Sequence, residues 1–594
     1  MDRSSELTIS ENEARLACDL LVIGSGAAGL AAAVTAARRG LKVIVVEKDA
    51  HVGGTSAWSG GWMWIPGNPL ARAAGAGDDQ DAARAYLRHE FGAAYDEKLL
   101  ETFLEEGPRM IDFFQKETSV QFINGPLMPD FHGRSPGAAV GNRAVGAAPL
   151  DGRELGNSIR MLRPPLDLIS PFGMGVATGE FWHFLNYLQN PRSFVHVMRR
   201  VLRHRIDCLR YGQGMYLVNG NALVARLLKS AIDFGVNVLT SAPARSLVIE
   251  GNSVRGASIR MSARYIEVRA SRGVVLATGG FPHDTDRRAK LFPHAPTGQE
   301  HWSAAPTTNT GDGLRLGENA GGYVPGNLKA AGNWSPVSLV PRGDGTFAHF
   351  PHLGMDRAKP GCIMVRPSGE RFCNEADSYH DVISALFRAT PPGKVPRAWL
   401  ICDHACLRRW GLGRVRPAPF PIRPWLRNGY LKKASSIAEL ARVCEIDPIS
   451  LEQTVRRFNE GAQIGSDPDF NRGETPFNRG YGDPDRKPNP CLAPLEIAPF
   501  YAVKIVPGSL GTFAGLVTDS NARVLDRQGR PIPNLYAVGN DMSSIGAGNY
   551  PAGGFTLGPA MTFAFIAAHH ACGTPLVTTS SKGSDPSVVR SAAR

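Results

Sequence analysis

The chain has 594 residues, 43% hydrophobic and 20% charged, a globular composition too long for one hydrophobic core and incompatible with a disordered protein. Its formal charge is +12, but no nucleic-acid-binding module accompanies that charge, so nucleic acid is not expected as a partner. There is no run of about 18 apolar residues for a spanning helix, and nine scattered cysteines without a CxxC pair, after an acidic rather than signal-like N-terminus, suit a reducing cytoplasmic setting.

The first informative segment is CDLLVIGSGAAGLAAAVTAARRGLKVIVVEK, residues 18–48. A strand over Leu20–Ile23 enters GSGAAG, an alanine-rich helix follows, and a second strand over Val43–Val46 ends at Glu47. In this order the pattern is a dinucleotide fingerprint. Gly24 makes the tight turn, Gly26 admits a pyrophosphate to the backbone beside Ala27 and Ala28, and Gly29 lets helix and strand pack closely. Glu47, followed by Lys48, is placed to accept hydrogen bonds from an adenosine ribose.

The next stretch, HVGGTSAWSGGWMWIPGN, favours FAD over NAD, because a flavin extends beyond the pyrophosphate and needs a second small-residue wall. Gly54, Thr55, Ser56, Ser59, Gly60 and Gly61 are assigned to that wall, and Trp58, Trp62 and Trp64 to core or pocket lining. Basic residues crowd 192–206, where Val195, Val197, Val201 and Leu202 are expected to pack on a core beneath a solvated charged face; the alternative is contact with an anionic membrane. Residues 235–281 read as strands ending in ATGG, which returns the chain to the cofactor sheet at Ala277, Thr278 and Gly279. IPNLYAVGN (532–540) does the same at Gly539 and Asn540. Cys402 and Cys406 sit one helical turn apart and are read as reduced cysteines, so no metal site is expected.

These blocks are far apart, so the fold class is α/β: a discontinuous Rossmann-like FAD-binding domain with an inserted α+β substrate and catalytic domain. The expected pieces are 16–282, with an elaboration at 157–215, and 500–573. The insert is 283–499, and 574–594 is a disordered tail.

The motifs GSGAAG, EK, GGTSAWSGG, ATGGF, TNTGDGLRLG, GERFCNEA, PFYAV, IPNLYAVGN and YPAGGFTLGPAMTF occur in one order. Together they resemble the flavoprotein superfamily of fumarate reductases, succinate dehydrogenase flavoprotein subunits and 3-ketosteroid dehydrogenases. The resemblance runs from about residue 18 to 573. It adds Asp312, Thr556 and Leu557 to the FAD-binding set, and it gives Glu375 the task of fixing the loop before Tyr379.

Two positions narrow the branch. Fumarate reductases carry arginines where this chain has Tyr379 and Tyr550. Without them a dicarboxylate loses its bidentate partners. The late stretch with Tyr550, Gly554 and TLGPAMTF is similar to the 3-ketosteroid 1-dehydrogenases. That resemblance implies that Tyr550 and the Gly554 amide hold a ketone oxygen. Tyr379 takes the proton next to the carbonyl, and a hydride passes from the adjacent carbon to flavin N5. A free phenol has a pKa of about 10, so Tyr379 must either be shifted downward or lose its proton in concert. The expected activity is α,β-desaturation of a cyclic ketone, first a 3-ketosteroid at carbons 1 and 2. A smaller alicyclic ketone or a 4,5-desaturation is the alternative, and an enoate reductase a more distant one.

One departure stands out. The family has a further tyrosine in the loop matched by LMPDFHGRSPGAAVG (127–141), where this chain has Phe131 and His132. Either Phe131 lines the pocket, the favoured reading, or His132 assists proton transfer. GQGMYL (212–217) lacks the third glycine of a second dinucleotide unit, so no NAD(P) site is expected. Reduced FAD then passes its electrons to a diffusible quinone-like acceptor or to oxygen. His301 is read as a structural histidine.

Overall fold

The computed structural model describes residues 15–77, 80–262 and 264–574; of the expected tail, all but Thr574 lies outside them. The first sheet has eight strands, in the order Arg523–Leu525, Pro531–Ala537, Arg264–Leu276, Arg15–Ile23, Val43–Val46 and Asn237–Leu239, with Ser253–Met261 and Ala244–Glu250 added as a meander on Arg264–Leu276. Its four central strands run parallel, and their register decides where a ligand goes. Ile23 pairs with both Val46 and Leu276, and Leu276 pairs with Ala537. The carboxyl ends of these strands are therefore level, and Gly24, Glu47, Ala277 and Val538 follow along one edge, the position at which open α/β sheets bind ligands.

The strand segments Leu20–Ile23 and Val43–Val46 are buried along their whole length, which is why they read as unbroken apolar runs rather than alternating ones. The helix Ala27–Arg38 is alanine at seven of its twelve positions and lies against Leu557–Ala571. At Gly24, φ is +109° and an added Cβ would sit 2.2 Å from the Ala277 carbonyl oxygen; at Gly29 it would meet the Gly24 oxygen at 1.9 Å. The first glycine makes the turn possible, and the second lets the helix lie directly on it.

The second sheet is organised around the long strand Phe500–Thr512, which pairs with Gly332–Pro341, Ala398–Cys402, Leu431–Ala434 and Trp302–Ser303. The sequence division at 500 falls at the start of this strand, so by pairing Phe500–Thr512 goes with the insert. The sequence grouped it with the late cofactor segment because PFYAV stands next to that segment in the chain. Helices Ile437–Cys444 and Pro448–Ile464 cover this sheet with a separate core that includes Leu440, Leu451, Val455 and Phe458. A third, three-stranded sheet of Trp62–Trp64, Ala144–Ala147 and Phe122–Gly125 packs against the helices Leu557–Ala571 and Asn219–Asp233.

The segment 157–215 lies over the gap between the two sheets, tied to the insert by Arg414 Nη1 to the Leu168 carbonyl (2.8 Å) and Arg409 Nη2 to Asn186 Oδ1 (2.9 Å). Here one expectation is corrected. In the helix Pro191–Tyr211, Val197 is buried but Val195 and Leu202 are exposed, while Arg200, His204 and Asp207 face inward. The inward side is held by ion pairs, Arg200 to Glu180 at 3.0 Å and Arg153 to Asp207 at 2.9 Å. Polar anchors, not the valine and leucine stripe, fix the helix to the protein.

Replacement of Gly29 by alanine sets a methyl group against a backbone oxygen that cannot move without reopening the Gly24 turn. The expected cost is about 1–3 kcal/mol of overpacking, read as a lowered thermal midpoint of the flavin-free protein.

Candidate active site

A single cavity of about 1290 Å³ runs along the sheet edge and under the 157–215 segment. That exceeds the roughly 300–1,000 Å³ of a pocket for one small ligand, so it has room for a dinucleotide and a second molecule. All the residues assigned from sequence to cofactor or catalysis line it except Gly29, which packs beneath.

At one end, the nucleotide fingerprint leaves space where a pyrophosphate belongs. An added Cβ at Gly26 would meet only Ser56 Oγ, at 3.6 Å, and one at Gly54 would meet nothing within 4 Å. The helix starting at Ala27 has Gly26 at its N-cap and so no capping side chain of its own, and its N-terminal amides and dipole favour an anion. Ser56 Oγ accepts from the Ala27 amide at 3.1 Å and so pins the second glycine-rich loop to the first. Glu47 accepts from the Ser25 amide and hydroxyl at 3.0 and 2.6 Å and from the Asp49 amide at 2.8 Å. A carboxylate has about four acceptor sites, so capacity is left for a ribose hydroxyl. Lys48 donates to Asp312 at 2.5 Å and to Thr310 at 2.7 Å. Burial works against the Asp312 charge, but Lys48 holds its pKa below the ordinary value. The donor set and the open cradle fit FAD.

A buried acid that the sequence reading missed joins the segments of this wall. Asp541 Oδ1 accepts from the Thr278 hydroxyl and the Gly280 amide, both at 3.0 Å, and Oδ2 accepts from the Thr278 amide. Desolvation pushes its pKa up to about 6. It follows immediately on the expected Gly539 and Asn540.

At the other end of the cavity, Tyr379 and Tyr550 meet. The Tyr379 hydroxyl donates to the Tyr550 oxygen at 2.9 Å, across 171 residues of sequence. Tyr379 is the first residue of the helix Tyr379–Ala389, capped by Ser378, whose side chain accepts from the Asp381 amide. The chain before it is clamped. Arg357 donates to the Asp377 carbonyl (3.2 Å from Nη2) and to that of Glu375. The Glu375 carboxylate takes two bonds from Arg371, both 2.8 Å, and one from Arg472 at 3.0 Å. Desolvation, reinforced by the neighbouring Tyr550 phenol, holds Tyr379 well above the pKa of a free phenol. Of the two routes open to it, the structure thus opposes a standing phenolate and leaves proton loss in concert.

Tyr550 is 4% exposed and sits on the loop before Gly554. Gly554 has φ +96°, and an added Cβ would lie 2.7 Å from the Trp62 oxygen and 2.8 Å from the Trp64 nitrogen. Only glycine lets this loop press on the Trp62–Trp64 strand. The Gly554 carbonyl accepts from the Trp64 amide at 3.2 Å, while its own N–H makes no hydrogen bond among the described residues.

Phe131 packs edge-on to both phenols, with ring centroids 6.0 Å from Tyr379 and 5.4 Å from Tyr550. His132, beside it, is bound to Glu90 through Nδ1 and to Asp381 through Nε2 at 2.9 Å. Burial disfavours its charge, yet Asp381 and Glu90 raise its pKa to about 10. A ring with both nitrogens engaged as donors has no lone pair for a substrate proton. It acts as a cationic clamp on the first turn of the Tyr379 helix.

Sequence reasoning also missed Tyr481, which lines the cavity between Gly480 and Gly482 and packs on Phe477 at 5.1 Å. A phenol between glycines was the available signal, comparable to Tyr550 in its glycine-rich loop. Lys359 was missed too: it is buried in the cavity wall, donates to the Gly482 carbonyl at 2.8 Å and lies 4.5 Å from the Trp410 ring centre. His301 is outside the cavity, buried and hydrogen-bonded to Ser509 and His294.

The family model described as FAD binding domain matches residues 19–557. The chain is 39% identical over 569 residues to a 4-oxocyclohex-2-ene-1-carboxylate 5-dehydrogenase of Sinomonas cyclohexanicum, covering 95% of each. It is 36% identical to a 3-oxosteroid 1-dehydrogenase of Mycolicibacterium smegmatis, covering 93% of this chain and 96% of that one. Among solved structures it is similar to the 3-ketosteroid delta1-dehydrogenase of Sterolibacterium denitrificans in complex with 1,4-androstadiene-3,17-dione. There the TM-score is 0.87 at 34% identity, over 94% of this chain and 100% of that one.

Three outcomes are expected. Gly26→Ala should keep the thermal midpoint of the flavin-free protein but lower FAD occupancy after reconstitution, since its methyl fills cofactor space. Tyr379→Phe and Tyr550→Phe should each retain bound FAD while slowing flavin reduction by ketone by about 10²–10³-fold, measured by stopped-flow absorbance. His132 has its pKa raised from 6.5 to about 10 on folding, so its contribution to stability is complete below pH 6.5 and is lost as pH rises through about 10. The thermal midpoint of the wild type should fall over that interval, and His132→Gln should flatten the fall.

Proposed function

Because the chain belongs to the FAD-binding-domain family, and to its branch of cyclic-ketone dehydrogenases, we propose that it desaturates a 3-ketosteroid between carbons 1 and 2. The observation that carries this reading is the Tyr379–Tyr550 hydrogen bond in a cavity roofed by apolar side chains, among them Leu166, Leu168, Phe181, Phe184 and Leu185. The roof suits a long fused-ring body, and the phenols suit a neutral ketone at its end.

Tyr550 O–H and Gly554 N–H are the donors for the ketone oxygen. Two donors there stabilise the charge that develops when an adjacent C–H bond breaks, and losing one typically costs about 10²–10³ in rate. Tyr379 receives the carbon-bound proton. Since it is a neutral phenol already donating to Tyr550, three transfers occur together: carbon to Tyr379 oxygen, Tyr379 to Tyr550 oxygen, and Tyr550 to ketone oxygen. The phenols end as they began, and the substrate becomes its enol. Bound FAD supplies the hydride acceptor for the next carbon. As that bond breaks, the oxygen-bound proton passes to Tyr550, the Tyr550 proton to Tyr379 and the Tyr379 proton to solvent in the cavity, leaving the enone. The helix N-terminus at Tyr379 favours transient negative charge on its oxygen. With no second dinucleotide unit in the sequence, electrons leave to a diffusible quinone-like acceptor.

A second reading, a single-ring oxo-carboxylate, is favoured by one observation. Lys359 is a buried ammonium in the cavity wall, its pKa lowered by desolvation to about 8, so it is still charged at pH 7 and can pair with a carboxylate in the cavity.

Anaerobic mixing separates the two. Bleaching of the flavin band by androst-4-ene-3,17-dione and not by 4-oxocyclohexanecarboxylate supports the steroid, and the reverse result overturns it. If the carboxylate is the substrate, Lys359→Met should raise its KM at least about tenfold. Under the steroid reading, the same variant should leave steroid turnover unchanged.

A further inference from the structure

The helix Pro191–Tyr211 carries an outward face that packing among the described residues does not cover. At about 100° per residue, Phe194, Val195, Met198, Leu202, Ile206 and Leu209 fall within one arc of about 120°. All six are exposed, Val195 at 65%, Leu202 at 62% and Leu209 at 87%. Contiguous apolar exposure of this kind marks an interaction site. Arg192, Arg199, Arg203 and Arg210 border the arc on one side, and Arg205 lies within it, near the edge marked by Phe194. Among the described residues only Arg203 of these five reaches a carboxylate, Asp151 at 3.6 Å.

The opposite side of the helix shows that this exposure is not loose packing. Arg200 and Asp207 are buried and ion-paired, and Val197 and Val201 line the cavity. Met198 belongs to both surfaces, exposed outside and lining the cavity within. Leu127, Ile169 and Trp182, from other segments, are likewise both exposed and cavity-lining. The apolar stripe therefore continues over an apolar rim into the cavity.

We propose that this helix docks in the plane of an anionic phospholipid surface, with the stripe at the acyl boundary and the arginines among the phosphates, so that the cavity mouth opens onto lipid. Charge decides between occupants. A second copy laid antiparallel on the same face would bring two arginine-rich edges together, whereas an anionic surface neutralises them. No helix among the described residues is long and apolar enough to cross a membrane, so the contact is peripheral. Such docking would hand an apolar ketone or quinone from the bilayer to the cavity without passage through water. That purpose rests on the proposed function, but the docking geometry does not.

The test uses the FAD-loaded full chain without substrate, floated with vesicles of phosphatidylcholine alone or with phosphatidylglycerol, at low and high salt. Binding should be at least about tenfold greater on the anionic vesicles and should be reversed by salt. The triple variant Val195→Gln, Leu202→Gln, Leu209→Gln should lose that binding while keeping flavin content, thermal midpoint and oligomeric state. Arg192→Glu with Arg199→Glu and Arg210→Glu, which leaves the apolar stripe intact, should lose it as well. Failure of the wild type to bind anionic vesicles overturns the proposal. So does unchanged binding by both variants, or a wild-type dimer that the glutamine variant dissociates.

Discussion

The placement of Tyr379, the phenol proposed to receive the proton, depends on a carboxylate that never touches it. Glu375 is fully buried, four residues before Tyr379, and an ion in such a place is costly unless its partners meet it in good geometry. Here they do. Arg371 grips it with two bonds while also holding Asp467 at 2.8 and 2.9 Å, Arg472 adds a third, and the Met364 amide a fourth at 3.0 Å. Despite desolvation, Arg371 and Arg472 keep the Glu375 pKa at about 2, so this lattice stays charged at any pH the protein meets. Arg472 also reaches the carbonyls of Arg357, Lys359 and Cys362. The strand Cys362–Val365, the loop carrying Arg357 and the turn before Tyr379 are thereby locked as one body.

That rigidity matters because the second phenol comes from elsewhere. Tyr550 belongs to a loop built on the cofactor sheet, and its backbone neighbour Pro551 is held from two sides, by the Phe131 amide at 3.0 Å and the Tyr86 hydroxyl at 2.7 Å. Phe131 therefore has two tasks that need no hydroxyl: its amide fixes the Tyr550 loop and its ring fills the space between the phenols. His132 then ties the same loop to the Tyr379 helix. The lost tyrosine of this loop is replaced by packing and a charged clamp, not by another proton acceptor.

What could be read from the sequence was whatever depends on near neighbours in the chain. The strand–helix–strand unit was legible because its turn, its helix contact and its terminal acid all fall within about 30 residues of one βαβ unit. Tyr379 and Tyr550 were legible by the residues they replace. Asp541 was not, because an acid after a glycine turn has no local pattern; its meaning comes from Thr278 and Gly280 arriving beside it. Tyr481 stands directly between two glycines and Tyr550 in a glycine-rich loop, but nothing local says which loops will meet. The helix at 191–211 shows the opposite failure. Its amphipathic pattern was plain, yet the usual inference that the apolar side faces the protein was defeated by Glu180 and Arg153, which draw its polar side inward.

The cofactor sheet also sets a timetable for the newborn chain. Val274 pairs in parallel with Leu535, 261 residues later, and the Asp541 joint closes later still. At about 5–20 residues per second, the strand Arg264–Leu276 waits on the order of 15–50 s for its last neighbour. Until then the apolar edge of Arg264–Leu276 is unpaired in its final stretch. The intervening residues include the whole second sheet, which can close on its own strands once Phe500–Thr512 has appeared. Assembly of this protein thus runs from the inside of the sequence outward, with the nucleotide pocket, whose motif is made first, completed last.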